Sequence, residues 1–262
     1  MFVKLLKQEW RAIREILGLL CLIILLCGVV IGCVTNYMVT ANAPNSVTVT
    51  CILLFTAGVI GVGVCCAGSI FLVLWRYYQS RFTDEGYLTF TLPVNNHQIL
   101  LSSIAISVIA IALTILAALA AIAIAFGGYF LAFREYVAWQ EVVEAIQLWW
   151  PEFRDSFREV APELAKFSAM MLTGAFAQFL LLMLAVTIGA VLARKHKILA
   201  AFAAHFGINF LRSAIFIGSA IQTDTENAMM SLFCRESLRN VLMILVAYGV
   251  MYWLTKKKLN LN

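Results

Sequence analysis

His205, Asn209 and Arg212 form the most unusual polar set in the chain. Their spacing of i, i+4 and i+7 puts all three on one face of a helix, and everything around them is apolar. A charged side chain in mid-membrane costs about 2.5–3.5 kcal/mol on insertion scales, so Arg212 is expected to face protein or water. Gln178, in the preceding apolar block, is a candidate hydrogen-bond partner. Such a patch could line a substrate path, or it could be a structural network satisfied between helices. His205 and Asn209 are also residue types that an intramembrane hydrolase would use, but no Glu-Glu pair occurs to serve with them, and His97 and His196 lie in or beside loops.

A second candidate is the polar interruption between Arg76 and Gln98. Asp84-Glu85-Gly86-Tyr87 suits a helix end or turn, where Gly86 supplies permissive backbone geometry. Pro93 opens a new segment, and Asn95 or Asn96 suits the N-cap of the next helix. This makes a short, turn-bounded polar handle, or a plain loop with helix caps. Other chemistry has no foothold. The sequence contains no Gly-x-x-x-x-Gly-Lys-Ser/Thr phosphate loop, no His-Glu-x-x-His and no Gly-x-Ser-x-Gly. None of the seven cysteines forms a Cys-x-x-Cys pair, so no metal site is expected.

The elements that must carry these residues are membrane helices. Of the 262 residues, 63% are hydrophobic and 13% charged, and the mean hydropathy is +0.91. A soluble domain carries about 25% charged residues. Apolar blocks near 16–39, 51–75, 99–133, 164–193, 198–221 and 237–255 each reach the roughly 20 residues that a spanning helix needs. Backbone groups in hydrocarbon must be satisfied within the segment, so these blocks are read as helices. The expected fold is an all-α polytopic membrane protein with six transmembrane helices, forming a single transmembrane domain over 1–262. Residues 1–15 form a basic amphipathic helix, with Phe2, Leu5, Leu6, Ile13, Ile16 and Leu17 near one face. The start of the chain is read as a retained first helix, not a cleaved signal peptide.

Charge placement orients the chain. With both termini cytoplasmic, twelve basic residues fall inside and six outside, as the positive-inside rule requires. The net charge of +5 therefore reads as membrane orientation, not nucleic-acid binding. Seven of the fourteen acidic residues lie in 134–163, expected as an extracytoplasmic segment of one or two surface helices punctuated by Pro151 and Pro162. In the second block, Ala57/Gly61/Cys65 and Gly63/Ala67 predict close helix packing.

The stretch Asp84-Glu85-Gly86-Tyr87-Leu88-Thr89-Phe90-Thr91-Leu92-Pro93-Val94-Asn95-Asn96-His97-Gln98-Ile99-Leu100-Leu101-Ser102 resembles the loop between spans two and three of ABC transporter permeases of the type-2 export family. An acidic-Gly-x-Leu stretch, a Leu-Pro-Val turn and an Ile-Leu-Leu opening of the third span carry the likeness. Ser103 stands where a lysine is common, and the 134–163 segment is longer than the family's layout suggests. The resemblance implies that 76–98 is a cytoplasmic coupling loop, with Arg81, Asp84, Glu85, Gly86, Tyr87 and Pro93 against a separate ATP-binding subunit. It implies a plasma-membrane exporter built from two permeases, identical or related, and two ATPases. ATP and Mg would be bound by the partner, this chain would hold no cofactor, and membrane lipids would surround it. An ATP-independent membrane interaction or immunity protein is the alternative from another class, and an intramembrane hydrolase acting through His205 and Asn209 is a further one.

Overall fold

The computed structural model describes residues 2–40, 45–83, 95–134, 139–193, 196–220 and 228–258. They form helices α1 (Phe2–Thr40), α2 (Asn45–Phe82), α3 (Asn96–Phe133), α4 (Trp139–Leu192), α5 (Lys197–Ala220) and α6 (Ala228–Lys258). The expected all-helical architecture is what forms. Five helices, α1 to α4 and α6, are long and apolar enough to cross a membrane. Leu19, Leu22 and Leu26 on α1, Leu53, Ile60 and Val64 on α2, and Leu116 and Phe126 on α3 all point outward. A polypeptide in water would bury such side chains, whereas lipid tails accept them.

The helices fall into two compact units. The first holds Met1–Arg76 and Gln98–Pro151, and the second holds Tyr77–His97 and Glu152–Asn262.

Small residues organise the first unit. Gly28 and Gly32 on α1 let the backbone of α3 come close. A Cβ on Gly28 would stand 2.7 Å from Ala121 Cα, and one on Gly32 would stand 3.0 Å from the Ile124 oxygen. Gly128 meets the Gly32 backbone from the other side, and Asn36 Nδ2 donates to the Gly128 oxygen at 3.1 Å. Such close approach is how helices gain packing energy in lipid, which gives no hydrophobic drive. Ile24, Cys65 and Ala121 form the adjoining core, with Leu20, Val62 and Ala117 packed around it.

The close packing expected of α2 is present on part of the expected face. Gly61 abuts Cys27 Sγ, and Cys65 is buried, but Ala57, Gly63 and Ala67 are exposed. Gly58, one position on from Ala57, takes the contact with Ile31 instead. The face is rotated toward α1 because Gly58, Gly61 and Cys65 keep the i, i+3, i+7 spacing of one helical stripe.

Two further expectations change. The amphipathic stretch 1–15 is not a separate helix, since α1 continues unbroken from Phe2. Leu5, Ile13 and Leu17 are buried, but Ile16 lies one step of about 100° from Leu17 and is exposed. Glu9 turns inward and pairs with Arg76 of α2 at 3.3 Å. Nor do Pro151 and Pro162 divide 134–163 into surface helices. Residues from Trp139 belong to α4, which runs 54 residues without interruption. A proline inside a helix orphans the carbonyl four residues back. Here those carbonyls belong to Gln147 and Arg158, on turns where the side chains are exposed, so polar surroundings can satisfy them.

In the second unit α4 changes character. Half of its most apolar stretch is buried, a larger share than in any other candidate span. Ala177, Leu180, Leu181, Met183, Ala185 and Thr187 are buried, as are Ala247, Met251 and Leu254 on α6. Gly189 admits the α5 backbone, since a Cβ there would meet Ala201 Cα at 2.7 Å.

Candidate functional site

The polar set on α5 is assembled with α4 and α6 into one network within the second unit. Arg212 Nη1 donates to Gln178 Oε1 at 2.7 Å, the pairing expected from the sequence. Gln178 Nε2 in turn donates to Asn209 Oδ1 at 3.2 Å. Asn209 Nδ2 donates to the His205 backbone oxygen at 2.9 Å and lies 3.0 Å from His205 Nε2. Asn240 of α6 completes the set by accepting from Arg212 Nη2 at 3.2 Å.

Local geometry explains why these residues meet. Gly174 and Gln178 share a face of α4 at i and i+4. A Cβ on Gly174 would sit 3.3 Å from Asn240 Nδ2, so the glycine leaves the space that the Asn240 amide occupies. Asn240 is buried, while Gln178, Asn209, His205 and Arg212 are each partly exposed. Two charge-assisted hydrogen bonds at about 1.5–3 kcal/mol each are comparable with the roughly 2.5–3.5 kcal/mol cost of an arginine among apolar helices. The amides stabilise the cation without cancelling its charge. No carboxylate among the described residues lies within ion-pair distance of it.

The second group of residues brackets the segment between α2 and α3. Tyr77 and Thr187 join their hydroxyls at 2.9 Å, both buried, which ties the end of α2 to α4. The Thr187 hydroxyl proton goes to the Met183 oxygen at 2.9 Å, so Tyr77 is the donor to Thr187. Arg81, expected as a surface contact for an ATPase, is only 2% exposed. Its guanidinium lies 5.4 Å from the Tyr77 ring centroid, a cation–π contact that packs it along the last turn of α2. At the other side of the segment, the His97 ring stacks on Tyr252 of α6 with centroids 3.8 Å apart. His97 Nδ1 also lies 3.1 Å from the Tyr248 hydroxyl. Asp84, Glu85, Gly86, Tyr87 and Pro93 lie outside the described residues.

Sequence reasoning missed Asn240, Thr187, the Tyr248/Tyr252 pair and the anchoring role of Tyr77. Tyr248 and Tyr252 stand at i and i+4, a spacing that presents two rings on one helical face. Thr187 carries no local signal, since its partner is 110 residues away. Ser103, the departure from the resembled loop pattern, is buried on α3, and its backbone oxygen accepts from the Ser107 hydroxyl at 2.6 Å. A lysine would be poorly placed there.

Comparison with protein-family models, known proteins and solved structures returns no match. Several apolar helices suit a multi-pass membrane protein.

Proposed function

We propose that this chain is the membrane-spanning permease subunit of an ATP-binding cassette exporter in a bacterial plasma membrane. In this reading α5 also crosses the membrane, as the fifth of six spans, both termini are cytoplasmic, and 76–98 is the coupling loop. ATP and Mg are bound by a partner ATPase, and a second permease, identical or related, completes the unit.

The observation that carries the reading is how the loop is fastened. Residues that resemble the coupling loop of type-2 export permeases stand between two anchors. Tyr77 holds the end of α2 to Thr187 of α4, and His97 holds the start of α3 to Tyr252 of α6. A force applied to such a loop passes directly to α4 and α6, the helices that hold Gln178 and Asn240. Arg81 then acts as a positioning residue at the end of α2, while Asp84, Glu85, Gly86, Tyr87 and Pro93 are the contacts to the ATPase. His205, Asn209, Arg212 and Gln178 form a polar stretch of the path.

Affinity purification of the tagged protein from native membranes in mild detergent, with mass spectrometry of its partners, tests this. A stoichiometric subunit bearing phosphate-loop and ABC signature sequences is the expected result. Recovery of the chain alone, under conditions that preserve a known membrane complex, would favour an ATP-independent interaction protein.

A further inference from the structure

Arg212 uses two of the five N–H groups of a guanidinium, on Gln178 and Asn240. Among the described residues the remaining three have no acceptor and the charge has no counter-ion. The side chain is partly exposed, so an incoming group can reach it. Gln178 and Asn240 approach from two different helices and fix the plane of the fork. A planar fork held in place with unused donors matches the two oxygens of a phosphate or carboxylate. Arg212 stands eight residues before the end of α5, about 12 Å along the axis at 1.5 Å per residue. That depth is within reach of a lipid headgroup drawn inward or of a soluble anion entering between helices.

We infer that Arg212, clamped by Gln178 and Asn240, is a binding site for an oxyanion, a phosphate or carboxylate group. The site requires α5 to lie in the membrane but requires no ATPase partner, so a failed partner purification would leave it standing. Its own failure would likewise leave the exporter reading intact.

Gln178→Glu gives the sharpest test. The new carboxylate keeps the shape of the amide and occupies Arg212 from within. Asn209 can turn its Nδ2 to the second carboxylate oxygen, giving up its bond to the His205 backbone oxygen and leaving its Oδ1 beside the His205 ring nitrogen. The delipidated protein would be titrated with dioleoyl-phosphatidylglycerol or dioleoyl-phosphatidylcholine and followed by native mass spectrometry. In a second arm, inorganic phosphate would be added and the unfolding temperature read. Wild type is expected to prefer phosphatidylglycerol or to be stabilised by phosphate. Gln178→Glu and Arg212→Gln should each weaken that response about tenfold, the loss of one charge-assisted contact. Gln178→Glu should also unfold at a higher temperature than wild type when no anion is present. A response to phosphatidylglycerol alone assigns the group to a lipid, and competition by phosphate assigns it to a soluble anion. If Arg212→Gln does not fold, Gln178→Glu decides the matter. Folded variants that respond like wild type would overturn the inference, as would a wild type indifferent to both probes.

Discussion

The Tyr77 and Thr187 hydroxyls meet at 2.9 Å inside the protein, joining positions 110 residues apart. Because the Thr187 proton is committed to Met183, Tyr77 donates and has no substitute acceptor in that pairing. Thr187→Val should strand the phenol and lower stability by about 1–3 kcal/mol. Adding Tyr77→Phe should recover part of that loss, since removing both partners costs less than removing one. Thermal unfolding in detergent of the two single variants and the double variant checks this. A double variant as unstable as the sum of the singles would show that the bond is not the coupling.

The stacked His97 and Tyr252 rings are the second anchor. His97→Ala should leave the protein inserted and folded but loosen the start of α3. The readout is faster amide hydrogen exchange at residues 96–100, with little change in α1. Aromatic stacking is worth about 0.5–1.5 kcal/mol, so local exchange should quicken by roughly tenfold or less. Unchanged exchange would remove His97 as an anchor.

Glycines that look alike in sequence should respond differently to substitution. Gly28→Val places side-chain atoms where Ala121 already stands, and overpacking of this kind costs about 1–3 kcal/mol or more. Gly63→Ala meets nothing within 4 Å and should fold as well as wild type or better, because alanine is the stronger helix former. Unfolding temperatures of the two variants, measured side by side, should separate clearly.

Under the proposed function, Glu85→Arg reverses charge at the coupling loop while leaving every apolar helix intact. The expected variant inserts and expresses normally but no longer links ATP hydrolysis to transport. Transport at the wild-type rate would remove Glu85 from the coupling surface.

The helices were legible because long apolar blocks in lipid admit few alternatives. The face of α5 bearing His205, Asn209 and Arg212 was legible from helical periodicity alone, and Gln178 followed as a polar amide on the preceding apolar block. Asn240 was not legible. It lies beside charged Arg239 near one end of an apolar run, where an asparagine needs no special explanation. The unbroken course of α4 was hidden because Pro151 and Pro162 are strong breakers in general, and only exposure of their turns makes them tolerable. The α1–α3 crossing was present in the sequence as Gly28-Val29-Val30-Ile31-Gly32, a small-xxx-small pattern outweighed by the richer glycine run of α2.

The Arg212 network also bears on how the chain is made. A ribosome delivers Gln178 before Arg212 and Asn240 afterwards, 28 residues later. When α5 first emerges, only one of its arginine's two acceptors exists. Its apolar content is interrupted by His205, Asn209 and Arg212, so α5 is a poor candidate for leaving the translocon alone. Under the proposed six-span reading it should wait beside α4 until α6 arrives, and α5 and α6 should enter the bilayer as a pair. Truncation after α5 would then yield a nascent chain whose fifth helix slips back toward water, although every residue of that helix is present.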